Sequence, residues 1–107
     1  MTDKIVVYST CASAEEAERI ARRLVEERLA ACVNVLPGMV SYYRWQGAIE
    51  QSSEWLLLIK TSRDRVDEVR RSIESLHSYQ VPEVIAVPIV EGSVNYMNWL
   101  DAELKSS

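Results

Sequence analysis

Soft-metal chemistry needs thiolate or imidazole, and this chain offers little of either. It holds Cys11, Cys32, one histidine at His77, and three methionines. Copper(I) favours sulfur and imidazole nitrogen, whereas Zn2+ accepts both and carboxylate as well. No C-x-x-C or H-x-x-x-H pair occurs, so no local motif builds a site. A metal site here must assemble from residues far apart in sequence or from several chains. Each candidate also has a plainer reading. Cys11 suits a small loop residue after a strand. Cys32 packs like a small hydrophobe in a half-buried strand. His77 falls near a helix C-terminus, where an imidazolium is favourable. Met39 and Met97 read as packing residues.

Other chemistries find less support. There is no G-x-G-x-x-G, no P-loop and no G-x-S-x-G. A single histidine provides no local acid–base pair, and no glycine-rich phosphate cradle has an arginine beside it. The expectation is therefore a protein that is not an enzyme. A net charge of -4 disfavours nonspecific nucleic-acid binding, which needs a basic surface to displace counterions. Thr2-Asp3-Lys4 leads at once into a short apolar run, which does not read as a signal peptide. No run approaches the ~18 apolar residues of a membrane span, so no membrane partner is expected. Two cysteines make no disulfide framework. The reading is reduced thiols and a cytoplasmic location.

The elements that must position these residues follow from periodicity. With 107 residues the chain reads as one domain, 1–107. Ile5 to Ser9 is β-branched, aromatic and short, hence a strand. Ser13-Ala14-Glu15-Glu16 is a capping box, with Glu16 reaching back to Ser13. Ala17, Ile20, Ala21, Leu24 and Val25 continue it as a helix ending between Arg28 and Ala30. Cys32 to Tyr43 is extended, with Pro37-Gly38 as a bend or bulge. Gln46-Gly47 turns the chain into a second long strand reaching Thr61. Thr61 or Ser62 caps a helix whose buried stripe is Val66, Val69, Ile73 and Leu76. His77 to Pro82 is a loop, since Pro82 excludes further helix. Val84 to Ile89 is a fourth strand, with Pro88 marking an edge or interruption. After a turn at Glu91 to Ser93, Met97, Leu100 and Leu104 suggest a terminal helix.

The order is β-α-β-β-α-β plus a final helix, the α+β ferredoxin-like pattern. It predicts an antiparallel sheet with both crossover helices on one face. Such strands should alternate apolar and polar. Instead Trp55 to Ile59, Ile5 to Tyr8 and Val84 to Val87 are apolar on both faces. A bare face of this kind is rare on soluble monomers. The terminal helix could cover it in part, at ten or so residues about half of a four-stranded sheet. Other copies of the chain are expected to cover the rest.

The same segments resemble the divalent-cation-tolerance (CutA) family. The matching residues are Leu29-Ala30-Ala31-Cys32-Val33-Asn34, Leu36-Pro37-Gly38, Ser41, Tyr43, Trp45, Gly47, Ile49, Glu50 and Ile59-Lys60-Thr61. His77, Tyr79, Pro82-Glu83, Val84 to Pro88, Gly92, Tyr96 and Trp99-Leu100 complete the match. The resemblance spans Ile5 to Leu104. It implies a homotrimer similar in architecture to the PII signalling proteins, with a role in divalent-metal tolerance, copper above all. Copper or another divalent ion is then the implied partner besides the chain itself. Some members assign copper to a cysteine near the end of the first strand and a histidine pair before the following loop. Here Ser9 occupies the cysteine position and Leu76 the first histidine position, while Ser78 replaces a proline. Cys11 lies two residues on from Ser9, on the same face if the strand persists that far. The metal candidates are thus Cys11, His77 and Cys32. Tyr43, Trp45, Glu50, Lys60, Tyr79 and Glu83 stand at family-matching positions, and the resemblance implies that they converge in an intersubunit cleft. Two readings of that cleft stay open: a salt bridge with aromatic packing, Lys60 pairing with Glu50 or Glu83, or a pocket for a small ligand or anion.

Overall fold

The computed structural model describes residues 2–105. Strand β1 is Lys4–Cys11, helix α1 Ala14–Glu26, strand β2 Cys32–Trp45 and strand β3 Ala48–Ser62. A single 3-10 turn, Arg63–Arg65, leads into helix α2, Val66–Leu76, then strand β4, Ile85–Pro88, and helix α3, Val94–Glu103. The sheet order is β2-β3-β1-β4, with every neighbouring pair antiparallel. This is the ferredoxin-like arrangement expected from the order of elements.

Strand β1 persists to Cys11, two residues beyond Ser9. Ile5, Val7, Ser9 and Cys11 share one buried face, as period-two alternation requires. On α1, Ala17, Ile20 and Leu24 are fully buried at helical spacing. With Leu57 and Ile59 of β3 and Val69 and Ile73 of α2 they form the main core. Helix α1 stops at Glu26, earlier than expected. Arg28 takes a left-handed φ of 57°, and the amides of Leu29 and Ala30 both donate to the Leu24 carbonyl. The Thr61 hydroxyl donates to the Leu29 carbonyl at 2.7 Å and locks this exit to β3.

Thr61 is therefore unavailable as a cap, and the Ser62 hydroxyl turns to the Asp64 carboxylate. Neither caps α2, which starts one turn later, after Arg65. Pro37-Gly38 makes the expected bulge between the Leu36 and Met39 pairings, with Gly38 at φ 82°. Gln46 and Gly47 both have positive φ, the two-residue turn whose twist matches a hairpin. Strand β4 is shorter than Val84 to Ile89 and forms the sheet edge, ending at Pro88.

Helices α1 and α2 cover one face. The second face carries Lys4, Val6, Tyr8 and Thr10, and α3 closes only its Lys4 end. There the Lys4 ammonium pairs with Asp3 at 2.6 Å and with Asp101 of α3 at 2.9 Å. Residues 48–54 of β3 pair with β2 alone, so half the hairpin overhangs the sheet.

Candidate metal centre and adjoining cleft

Only Ala12 and Ser13 separate β1 from α1, so the first helical turn folds back over the strand end. The Ser13 hydroxyl accepts from the Glu16 amide at 3.2 Å, one half of the expected capping box. The other half is absent. The Glu16 carboxylate points towards the far end of α2, where its Oε2 accepts from the Ser78 amide at 3.0 Å. His77 ends α2 with extended backbone, and its ring Nδ1 lies 3.6 Å from Glu16 Oε1. Ligand-capable atoms of Cys11, Glu16 and His77 all lie within 4.8 Å of one another.

The cluster is buried: Cys11 and the His77 side chain have no exposure, and the Glu16 side chain has 7%. His77 Nε2 meets the Thr10 carbonyl at 2.6 Å, and Nδ1 accepts from the Tyr79 amide at 3.0 Å. These partners assign the proton to Nε2 and place the Nδ1 lone pair on the Tyr79 amide, which an ion bound at Nδ1 would displace. Burial first, then the Glu16 and Glu54 charges, push the Cys11 thiol up to about 12. Without a cation the sulfur stays protonated. Glu16 Oε1 is buried without a hydrogen-bond partner, and so is Ser9 Oγ, on the same strand face as Cys11. An orphaned carboxylate oxygen beside a thiol and an imidazole nitrogen fits a cation of borderline softness, with Nδ1 exchanging the Tyr79 amide for the ion.

Cys32 is not part of this cluster. It pairs with Lys60 in register, while Cys11 pairs with Trp55. Five residues along β3 separate the two levels, roughly 17 Å at strand rise. Lys60 is likewise displaced from the cleft set. Its ammonium donates to Asn34 on neighbouring β2, not to Glu50 or Glu83. Glu50 pairs with Tyr43 on the overhanging hairpin and is exposed.

Four of the residues assigned to an intersubunit cleft gather within the single chain. Tyr43, Trp45, Tyr79 and Glu83 line a cleft of about 670 Å³ between the hairpin and the loop after His77. Thr10 and Glu54 line it too. Glu54, like Glu16 of the triad, is a residue that sequence reasoning missed. It is 6% exposed, and Oε2 accepts from the Tyr79 hydroxyl at 2.6 Å. The signal was present: an acid directly before the apolar run Trp55 to Ile59. The cleft and the triad share a wall, since Thr10 and Tyr79 bond to the two nitrogens of His77.

Among the described residues, no helix is long and apolar enough to cross a membrane. A family model described as CutA1 divalent ion tolerance protein matches residues 5–103. The divalent-cation tolerance protein CutA of Thermus thermophilus is 50% identical over 95 residues, 89% of this chain and 92% of that protein. The protein CutA, chloroplastic, of Arabidopsis thaliana is 45% identical over 96 residues, 90% of this chain but 53% of the relative. The chain thus spans about half the length of that second relative. The solved structure of the periplasmic divalent cation tolerance protein CutA from Archaeoglobus fulgidus superposes with a TM-score of 0.92 at 40% identity, covering 95% of this chain and 99% of that one. These names overturn the cytoplasmic expectation, because one relative is chloroplastic and another periplasmic. The short apolar run that opens this chain is strand β1, and a strand carries no address.

Proposed function

The chain belongs to the CutA1 divalent ion tolerance family, and on that premise we propose that it binds a divalent metal ion through Cys11, Glu16 and His77. The observation that carries this reading is the buried, unpartnered Oε1 of Glu16, which faces the His77 ring beside the Cys11 thiol. A bound ion would supply the positive charge that a thiolate and this carboxylate both lack. One sulfur, one nitrogen and one oxygen suit Zn2+ or copper better than a hard ion such as Mg2+. Ser9 and Leu76 stand where the family resemblance implied ligands, and Glu16 makes up the set from a different element. The role is binding rather than catalysis. The chain holds one imidazole, and once it and Glu16 ligate an ion the cluster offers no acid–base pair.

The protein is further proposed to act as a homotrimer. Support comes from the apolar residues that α3 leaves uncovered, including Leu36, Ile85 and Val87, and from Val40 and Ile49 on the overhang. A second reading, a small-ligand sensor of PII type, draws on the cleft beside the triad.

The test is a titration of reduced, metal-free protein with Zn2+ and with Cu(I) against a competing chelator, with mass recorded at each step. Saturable uptake of both is expected, at a mass three times the 12.2 kDa chain. Cys11→Ser should weaken both ions, and Glu16→Gln should weaken Zn2+ by about tenfold or more while sparing Cu(I). Failure of the folded wild-type protein to compete would remove the metal reading. A monomeric mass at micromolar concentration would remove the trimer.

A further inference from the structure

A carboxylate as buried as Glu54 normally has a cation beside it. Its recorded hydrogen-bond partner is a neutral phenol, Tyr79, and no ion pair among the described residues includes it. Glu83 faces the same cleft, and desolvation together with the Glu54 charge pushes its carboxyl above the ordinary range. No lysine, arginine or histidine lines the cleft, so nothing there offsets two carboxylates. An anion or a nucleotide would meet like charge on entry. The hairpin wall is aromatic as well as acidic: Tyr43 and Trp45 share a strand face with Glu54, and Trp45 is 38% exposed. Aromatic side chains beside a desolvated carboxylate are what a cation with an apolar body requires. The cleft volume, about 670 Å³, is ordinary for a small organic ligand.

We propose that this cleft binds a small organic cation, a protonated amine on an apolar body, with Glu54 accepting from the ammonium and Trp45 packing on the apolar part. The proposal rests on the small-ligand reading of the cleft and names its ligand class. It is independent of the metal triad, although Tyr79 touches both.

The test is calorimetry on the intact, metal-free protein with phenethylamine, its neutral and anionic counterparts 2-phenylethanol and phenylacetate, ATP, and Mg2+. Phenethylamine should bind saturably at one per chain. The alcohol and the acid should bind about tenfold more weakly or less. Glu54→Gln and, as an exposed-site control on folding, Trp45→Ala should each weaken the amine by a similar factor, while Arg70→Ala on the outer surface of α2 leaves it unchanged. Binding of ATP or phenylacetate in preference to the amine would overturn the cation class and leave the small-ligand reading standing. Preferred Mg2+ binding that needs Glu54 but not Trp45 would overturn it in favour of an inorganic ion. No binding by any probe would overturn both the class and the small-ligand reading, as expected if a basic side chain of a second copy fills the cleft.

Discussion

Cys11 decides how the proposed metal site responds to pH. Burial and two neighbouring carboxylates hold its thiol near 12, so the free protein keeps the proton across the neutral range. A thiolate ligand must lose that proton, and each ion bound therefore releases one. The sign follows: apparent affinity rises with pH and falls as pH drops. Between about pH 7 and about pH 9, Zn2+ affinity in a non-coordinating buffer should rise about tenfold per unit. In Cys11→Ser the slope should flatten, and a wild-type affinity independent of pH would show that Cys11 is not a ligand. Cys11 and His77 were legible as candidates because soft donors are so few in this sequence. Glu16 was not, because its spacing from Ser13 also spells a capping box. Only the two-residue connection between Cys11 and α1 hints that the first turn must fold back over the thiol.

At the level of elements, α2 links the core to the site. Val69 and Ile73 are fully buried against α1 and the sheet, and His77 follows directly where the helix ends. Ile73→Ala should cost roughly 2–5 kcal/mol, as large-to-small core changes do. Urea unfolding at one fixed protein concentration measures it, and a loss under about 1 kcal/mol would mean that α2 does not seal this core. The element order was legible because short β-branched runs and helical spacings barely overlap along this chain. The caps of α2 were not. Thr61 and Ser62 have the right chemistry for capping, but tertiary partners at Leu29 and Asp64 took both hydroxyls. Within one chain Lys60 lies ten residues from Glu50 along β3, roughly 33 Å, and an adjacent-strand asparagine meets its charge.

The whole molecule is elongated, 45 × 25 × 22 Å, because the hairpin projects past the sheet. Its second face is apolar between α3 and the hairpin, as the two-faced strands implied. What the sequence could not disclose is whether a metal site would be completed by one chain or shared among several. The triad is complete within one chain, with all three ligand atoms in a single cluster behind the cleft wall. Stoichiometry therefore tests the central claim. Co2+ is the probe, since coordination by a thiolate gives it a near-ultraviolet charge-transfer absorbance that an N/O site lacks. Titrating the reduced assembly should bring that absorbance to a plateau at one Co2+ per chain, with Cys32→Ser unchanged and Cys11→Ser silent. A plateau at one ion per three chains, or absorbance that survives in Cys11→Ser and vanishes in Cys32→Ser, would contradict the Cys11–Glu16–His77 site.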